Sequence, residues 1–103
     1  MKNEENKEDA FNLEFTSELS IPALYQVVLH NDEYTPMEFV VGLLEKFFYM
    51  GRRQAADKTL EAHVNGSAVC GVFSRDCAET KVAQVIEYAE LNEHPLTCSM
   101  EVA

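Results

Sequence analysis

The sequence predicts an α+β domain in which a small three-stranded antiparallel sheet packs against three helices. Two observations lead to this fold class. Segments typical of strands and helices follow one another in the order β-α-α-β-α-β, and 103 residues are enough for one domain but too few for two separate cores. We place the folded domain at residues 21–103, behind a flexible acidic extension at residues 1–20.

The first half of the domain is predicted to contain one strand and two helices. Residues 24–29 (LYQVVL) are rich in β-branched and aromatic side chains, which favours a strand. Thr35 and Glu38 have the spacing of a capping box around Pro36, so we expect the first helix to begin here. Residues 52–63 are rich in Ala, Lys, Glu and Gln, which favour a second helix.

The second half of the domain is predicted to contain a strand, a helix and a last strand. Residues 68–73 (AVCGVF) form an apolar run after an Asn-Gly turn signal. Ser74 is suited to cap the third helix, which we expect to close at Asn92. Apolar and polar side chains alternate in residues 96–101, as in a strand with one buried face.

The composition argues against several classes of function. Eighteen acidic and 8 basic residues give a net charge of −10, so we expect no nucleic-acid partner. No apolar run approaches the ~20 residues of a membrane helix, and the N terminus lacks the apolar segment of a signal peptide. We therefore expect a cytoplasmic protein without a membrane partner. The three cysteines fit neither a disulfide framework nor a zinc site, and we expect neither a metal nor another cofactor.

The polar loop after the first strand is the candidate functional site, together with His63 at the end of the second helix. The loop begins with His30, Asn31, Asp32 and Glu33. On spacing alone, such a cluster is most often an ordinary strand-to-helix turn. Two functional alternatives stay open: a small metal-dependent hydrolase that uses these histidines and carboxylates, or a site in which carboxylate and amide oxygens bind an ammonium group.

The same loop resembles a known family. Residues 29–40 (LHNDEYTPMEFV) closely resemble the signature of the ClpS family, which are adaptors of the ATP-dependent Clp protease. Residues 62–66, 70–73, 78–83 and 93–96 agree with the same family in order and spacing. The resemblance covers almost the whole predicted domain, and it implies an α+β domain behind a flexible N-terminal extension.

The resemblance implies a substrate-recognition adaptor of the N-end rule pathway and not an enzyme. Such N-degron adaptors bind proteins whose N-terminal residue is Phe, Tyr, Trp or Leu, and deliver them to the N-terminal domain of the AAA+ unfoldase ClpA. We expect a monomer. A third alternative is a domain that only scaffolds an assembly, because the fold also resembles the C-terminal domain of the ribosomal stalk protein.

The resemblance also implies three groups of site residues. The α-amino group of the substrate is expected to bind at Asn31, Asp32, Glu33 and His63. The side-chain pocket is expected to be lined by Met37, Val40, Leu43, Thr59, Ala62 and Leu96. The surface that docks on the unfoldase is expected to include Asp76 and Lys81. No catalytic residue is expected.

Three positions depart from the usual pattern of the family. Glu33 stands where the family usually has an aspartate, Thr59 replaces a methionine, and Ala62 replaces a valine. The last two changes are expected to enlarge the pocket, while Met37, which resembles the gate that excludes β-branched residues, is kept. We therefore expect aromatic N-terminal residues to bind better than Leu.

Overall fold

The order of the elements is the one that the sequence predicts. The computed structural model describes residues 21–103, and the prediction of a flexible extension lies outside these residues. The elements are β1 (Tyr25–His30), α1 (Met37–Phe48), α2 (Arg52–Asn65), β2 (Ser67–Phe73), α3 (Arg75–Leu91) and β3 (Thr97–Val102). The α+β fold class is thus confirmed, with element ends that differ from the predicted ones by one or two residues. Within residues 21–103, no helix is long and apolar enough to cross a membrane.

The three strands form an antiparallel sheet with β1 in the centre, in the order β2-β1-β3. Leu29 on β1 pairs with Ala68 on β2 and with Cys98 on β3, and all three side chains are buried. Because successive side chains of a strand point to opposite faces, His30 and Ser99 lie on the other face. The helices therefore cover one face of the sheet and leave the face with His30 open.

The helices and the covered face of the sheet bury one hydrophobic core. Leu43 and Leu44 of α1 and Val85 of α3 have no exposed surface. Burying a side chain of this size contributes about 1.5–3 kcal/mol to stability. Helix α2 instead contributes small side chains, Ala55 and Ala62, which allow it to pack closely against the core.

The start of α1 differs from the prediction. Pro36, and not Thr35, is the N-cap residue, and its carbonyl accepts the first intrahelical hydrogen bonds at 3.1 and 3.3 Å. The hydroxyl of Thr35 donates to the carboxylate of Asp32 at 2.8 Å, while the carboxylate of Glu38 pairs with Arg52 at 2.6 Å. The predicted capping box is wrong because both of its side chains have charged partners, which form stronger hydrogen bonds than backbone groups do.

Two other turns follow the sequence signals. Gly66 ends α2 with a φ of 90°, a left-handed conformation that glycine adopts without a steric cost, and its N–H donates to the carbonyl of Ala62 at 2.8 Å. Ser74 caps α3, as predicted, by accepting a hydrogen bond from the N–H of Cys77 at 3.4 Å. The Gly66 turn is the one that borders the candidate site.

Candidate functional site

A small cavity lies where the loop after β1 meets α1 and α2. Its volume is about 20 Å³, which is room for about one or two water molecules. Its walls combine polar side chains of the loop and of the end of α2 with apolar side chains of the helices and of the segment before β3. The lining residues are Leu29, His30, Asn31, Asp32, Thr35, Met37, Val40, Thr59, Ala62, His63 and Leu96.

A backbone hydrogen bond holds the polar part of the site together. The N–H of Asn31 donates to the carbonyl of Gly66 at 3.0 Å, which joins the loop after β1 to the turn after α2. His63 lies in the last turn of α2, directly before this turn. The side chains of Asn31 and His63 are both exposed, and both residues border the cavity. The structure therefore places these two predicted residues at one site.

The carboxylate of Asp32 is hydrogen-bonded within its own loop. Its Oδ1 accepts the N–H groups of Tyr34 and Thr35, each at 2.8 Å, and the Thr35 hydroxyl lies 3.0 Å from Oδ1 and 2.8 Å from Oδ2. Partial burial acts to raise the pKa of the Asp32 carboxyl. The hydrogen bonds, together with the nearby His94, outweigh this effect and hold the pKa below its usual value.

Glu33 is exposed and differs from Asp32 in its surroundings. Among residues 21–103, no side chain forms an ion pair or a hydrogen bond with its carboxylate. Glu33 is next to the cavity in sequence but is not one of the residues that line it. Its carboxylate can therefore accept hydrogen bonds from a ligand that reaches the loop.

The apolar part of the site is formed by side chains of α1, of α2 and of the segment before β3. Thr59 is 4% exposed, and its hydroxyl donates to the carbonyl of Ala55 at 2.8 Å, so it brings no unpaired polar group to the cavity. Met37 is 43% exposed at the rim, whereas Leu43 is fully buried and does not line the cavity. Thr59 and Ala62, the two positions at which smaller side chains are expected to enlarge the pocket, both line the cavity.

Both histidines of the hydrolase alternative border the cavity, but the ring of His30 already has a partner on the sheet. His30 Nε2 lies 2.7 Å from Ser99 Oγ on the open face of the sheet, whereas His63 is on α2, which covers the other face. In the part of the chain that the structure describes, no group of three or more His, Cys, Asp or Glu side chains is arranged to hold a metal ion. The geometry thus gives a metal-dependent hydrolase no support.

Asp76 and Lys81, the predicted docking residues, both lie in the first two turns of α3. Asp76 is exposed. Lys81 is only half-exposed, because its Nζ donates to the carbonyl of Phe47 at 2.6 Å and lies 5.0 Å from the ring centre of Tyr49. Lys81 therefore has a structural contact with the end of α1 besides any role at the surface.

Thr35 is the last residue of the candidate loop, but the sequence analysis assigned it to a helix cap and not to a role in the site. Its hydroxyl and N–H both bind Asp32, and it lines the cavity. The signal was present in the sequence, because an aspartate often accepts hydrogen bonds from backbone N–H groups two or three residues later. The capping box around Pro36 was a competing interpretation of the same residues.

Comparisons with known proteins find related sequences and a similar fold. A family model described as ATP-dependent Clp protease adaptor protein ClpS matches residues 20–99. The ATP-dependent Clp protease adapter protein ClpS of Vibrio atlanticus is 55% identical over 80 residues, which are 78% of this chain and 76% of that protein. The protein of the same name from Xanthomonas oryzae pv. oryzae is 54% identical over 86 residues, which are 84% of this chain and 81% of that protein.

A solved structure is also similar over most of the domain. The structure of Agrobacterium tumefaciens ClpS2 bound to L-phenylalaninamide has a TM-score of 0.79 and 38% sequence identity to this chain. The match covers 81% of this chain and all of the Agrobacterium chain.

Proposed function

This chain belongs to the ClpS family of adaptors of the ATP-dependent Clp protease, and we propose that it binds proteins through a large hydrophobic N-terminal residue and delivers them to the ClpA unfoldase. The observation that supports the proposal is the cavity, which has one polar wall and one apolar wall. Polar acceptors at Asn31 and His63 stand next to the apolar side chains of Val40, Ala62 and Leu96.

The ligand bound to the Agrobacterium relative has a polar group and an apolar group that match the polar and apolar walls of the cavity. L-phenylalaninamide combines a free α-amino group with a benzyl side chain, and its amide stands in for the peptide bond to a second residue. A protein that begins with Phe presents the same three groups. By similarity, we propose that an N-terminal residue occupies the cavity of this chain.

The polar loop is suited to bind a free α-amino group. Such a group has a pKa of about 8 and is mostly cationic at neutral pH. The carboxylate of Glu33 and the acceptors of Asn31 and His63 can form charge-assisted hydrogen bonds with it, each worth about 1.5–3 kcal/mol. An internal residue lacks both the charge and the additional N–H donors, so the loop selects the start of a chain.

The apolar part of the cavity must open to admit an aromatic ring. The cavity volume is about 20 Å³, whereas an engineered protein cavity that binds benzene has a volume of about 150 Å³. We propose that Met37 moves aside, because it is 43% exposed at the rim and has three rotatable bonds. Val40 and Leu96, which are buried and line the cavity, would then contact the ring.

The proposed partners are the substrate and the unfoldase alone. We propose that Asp76 and Lys81 contribute to docking on the N-terminal domain of a ClpA-type unfoldase, and that the adaptor acts as a cytoplasmic monomer. It would not be an enzyme, since its part is to bind a substrate that the protease degrades. Its net charge of −10 supports the absence of a nucleic-acid partner.

Acetylation of the ligand tests the proposal directly. The affinity of the full chain is measured for a short peptide that begins with Phe, for the same peptide with an acetylated N terminus, and for one that begins with Val. We expect acetylation to weaken binding at least about tenfold, because it removes the charge and two N–H donors, and we expect the Val peptide to bind weakly. Equal affinity for the free and acetylated peptides would refute the proposal. Failure to bind any peptide would favour the scaffold alternative.

A further inference from the structure

Tyr49 has a backbone conformation that a bulky residue rarely adopts. It ends α1 with a φ of 56°, in the left-handed region, where a residue with a β-carbon is strained and glycine is not. The turn explains the conformation, because the N–H groups of Tyr49 and Met50 both donate to the carbonyl of Leu44, and the chain then buries Met50 in the core. Glycine could make the same turn. The fold therefore accounts for the backbone at this position but not for a tyrosine.

The side chain of Tyr49 is held in place while most of its surface stays exposed. The residue is 83% exposed, so it adds little to the core. Lys81 of α3 approaches the ring from one side, with its Nζ 5.0 Å from the ring centre, and the same Nζ is fixed by a hydrogen bond of 2.6 Å to the carbonyl of Phe47. A tyrosine side chain has only two torsion angles, so a partner that covers the ring orders few degrees of freedom.

The surroundings of Tyr49 are basic, although the protein is acidic. Residues 46–53 contain three basic residues and no acidic one, whereas the whole chain has a net charge of −10. Lys46, Arg53 and Lys81 form no ion pair within the part of the chain that the structure describes. Their charges are thus available to a partner. An aromatic ring with a basic rim fits a protein surface that has an apolar pocket surrounded by carboxylates.

We propose that Tyr49 is an aromatic anchor for docking on the unfoldase, and that its ring enters an apolar pocket with an acidic rim on that partner. This inference rests on the function proposed above, and it adds a residue to the docking surface expected at Asp76 and Lys81. The unfoldase is the partner that fits, because Lys81, which holds the ring, belongs to that expected surface. A few aromatic side chains near the centre of an interface often contribute most of its affinity.

Glycine at position 49 separates the needs of the fold from those of the partner. Tyr49→Gly removes the ring, and the relief of backbone strain offsets the entropy that glycine adds to the unfolded chain. Tyr49→Phe keeps the ring and the strain. Val72→Ala is the matched control, because Val72 is also exposed but pairs with Gln26 on the open face of the sheet, away from the helices.

The experiment measures three quantities for the full chain and each variant: the affinity for a full-length ClpA-type unfoldase, the affinity for a peptide that begins with Phe, and the midpoint of urea unfolding. We expect Tyr49→Gly to weaken binding to the unfoldase at least about tenfold, with an unchanged peptide affinity and a urea midpoint at or above the wild-type value. Tyr49→Phe and Val72→Ala should bind the unfoldase within about threefold of the wild-type affinity.

The basic rim is tested by the dependence of docking on salt. We expect the affinity of the wild-type protein for the unfoldase to fall as the salt concentration rises, because salt screens exposed charges. Arg53→Gln should make this dependence weaker, since it removes one charge of the rim. A wild-type affinity that does not change with salt would contradict the acidic rim proposed for the partner.

Other results would overturn the inference as a whole. Unchanged affinity for the unfoldase in Tyr49→Gly would do so, and so would an equal loss in Val72→Ala. If Tyr49→Gly only dissociates a dimer of the adaptor in sedimentation, the ring contacts a second copy and the inference is wrong. Should Tyr49→Gly fail to fold, Tyr49→Asn replaces it, because asparagine also adopts the left-handed conformation, and unchanged docking in that variant counts against the inference.

Failure of the proposed function gives a different result. A wild-type protein that binds the Phe peptide but not the unfoldase would refute the proposed delivery, and this inference with it, while the proposed substrate site would stand. If the wild-type protein binds the unfoldase and Tyr49→Gly binds it equally well, the proposed function stands and only the role of Tyr49 is refuted.

Discussion

Thr59 belongs both to the packing of α2 and to the lining of the cavity, where it can influence which ligand binds. Its hydroxyl is bonded to the carbonyl of Ala55 one turn earlier, and the residue still lines the cavity. Because that hydroxyl is paired inside the helix, we expect position 59 to affect ligand binding through its size and not through a polar contact. A larger residue here would therefore take space from the bound side chain.

The change Thr59→Met tests this effect of size. We expect wild-type protein to prefer peptides that begin with Phe, Tyr or Trp over Leu, because a larger ring buries more apolar area at ~25 cal/mol per Å². Thr59→Met should shift the ratio of Phe to Leu affinity about tenfold toward Leu. One extra or missing methylene group in an apolar pocket changes the binding free energy by roughly 1–3 kcal/mol.

Thr59→Val is the matched control, because it removes the hydroxyl and keeps the volume. We expect it to leave the ranking of peptides as it is in the wild type. A wild-type preference for Leu, or an unchanged ranking in Thr59→Met, would show that position 59 does not set the size of the pocket.

The three thiols are predicted to differ in reactivity. Burial raises the pKa of Cys98 to about 12 and that of Cys70 to about 11, whereas Cys77 is exposed at the start of α3. Since the thiolate is the reactive form, a thiol reagent at pH 8 should label one cysteine quickly in the folded protein and all three in urea. Cys77→Ser should abolish the fast phase. Rapid labelling of a second thiol in the folded protein would contradict the burial of Cys98 and the partial burial of Cys70.

Helix α3 contacts the end of α1 through Lys81, and the sequence did not predict this contact. Lys81 donates to the carbonyl of Phe47, a group at the end of α1 that has no partner within its own helix. Its Nζ also lies over the rings of Phe48 and Tyr49, at 5.8 and 5.0 Å from their centres. Lysine 81 therefore caps α1 from a neighbouring helix.

Lys81→Met should lower the free energy of unfolding by about 1 kcal/mol, because it removes a partly exposed charged hydrogen bond and leaves the carbonyl without its partner. Urea unfolding measures the change. Asp76→Asn, at an exposed position in the first turn of the same helix, is the control for docking. We expect it to weaken binding to the unfoldase and to lower stability by about 0.3–1 kcal/mol, because it removes a carboxylate near the helix N terminus. A Lys81→Met protein as stable as the wild type would show that the contact is not structural.

The elements could be predicted from the sequence where their signals are local. Alternation in residues 96–101, the Ser74 cap and the glycine after α2 each depend on a few neighbouring residues, and the structure agrees with them. The position of β1 in the centre of the sheet could not be predicted, because strand pairing depends on residues far apart in the chain. The Lys81 contact spans 34 residues and has no local signal either.

The candidate site was predicted from the family resemblance more than from spacing. The structure brings Asn31 and His63 to one cavity, and it does so through a backbone hydrogen bond that no side-chain pattern reveals. The distinct surroundings of Asp32 and Glu33 were also hidden, because two adjacent carboxylates look equivalent until the loop is folded.

At the scale of the whole molecule, we predict that residues 1–20 are needed for delivery of the substrate and not for folding. Residues 21–103 contain one hydrophobic core. We expect deletion of residues 1–17 to leave the melting temperature and peptide affinity nearly unchanged, and to impair degradation of the substrate by the protease. Thermal unfolding, peptide binding and a degradation assay with unfoldase and protease measure these effects. Unfolding of the shortened protein would show that the extension is part of the fold.

The central position of β1 in the sheet determines how much of the chain must be synthesised before the domain can fold completely. Ribosomes make about 5–20 residues per second and release the N-terminal part first. Strand β1 is made early, but one of its two partners is β3, and Leu96 of the cavity comes directly before β3. A nascent chain that stalls before residue 96 lacks both β3 and Leu96 of the cavity lining, and β1 keeps an unpaired edge. We expect such a fragment to bind no substrate and to expose apolar surface to cellular quality control.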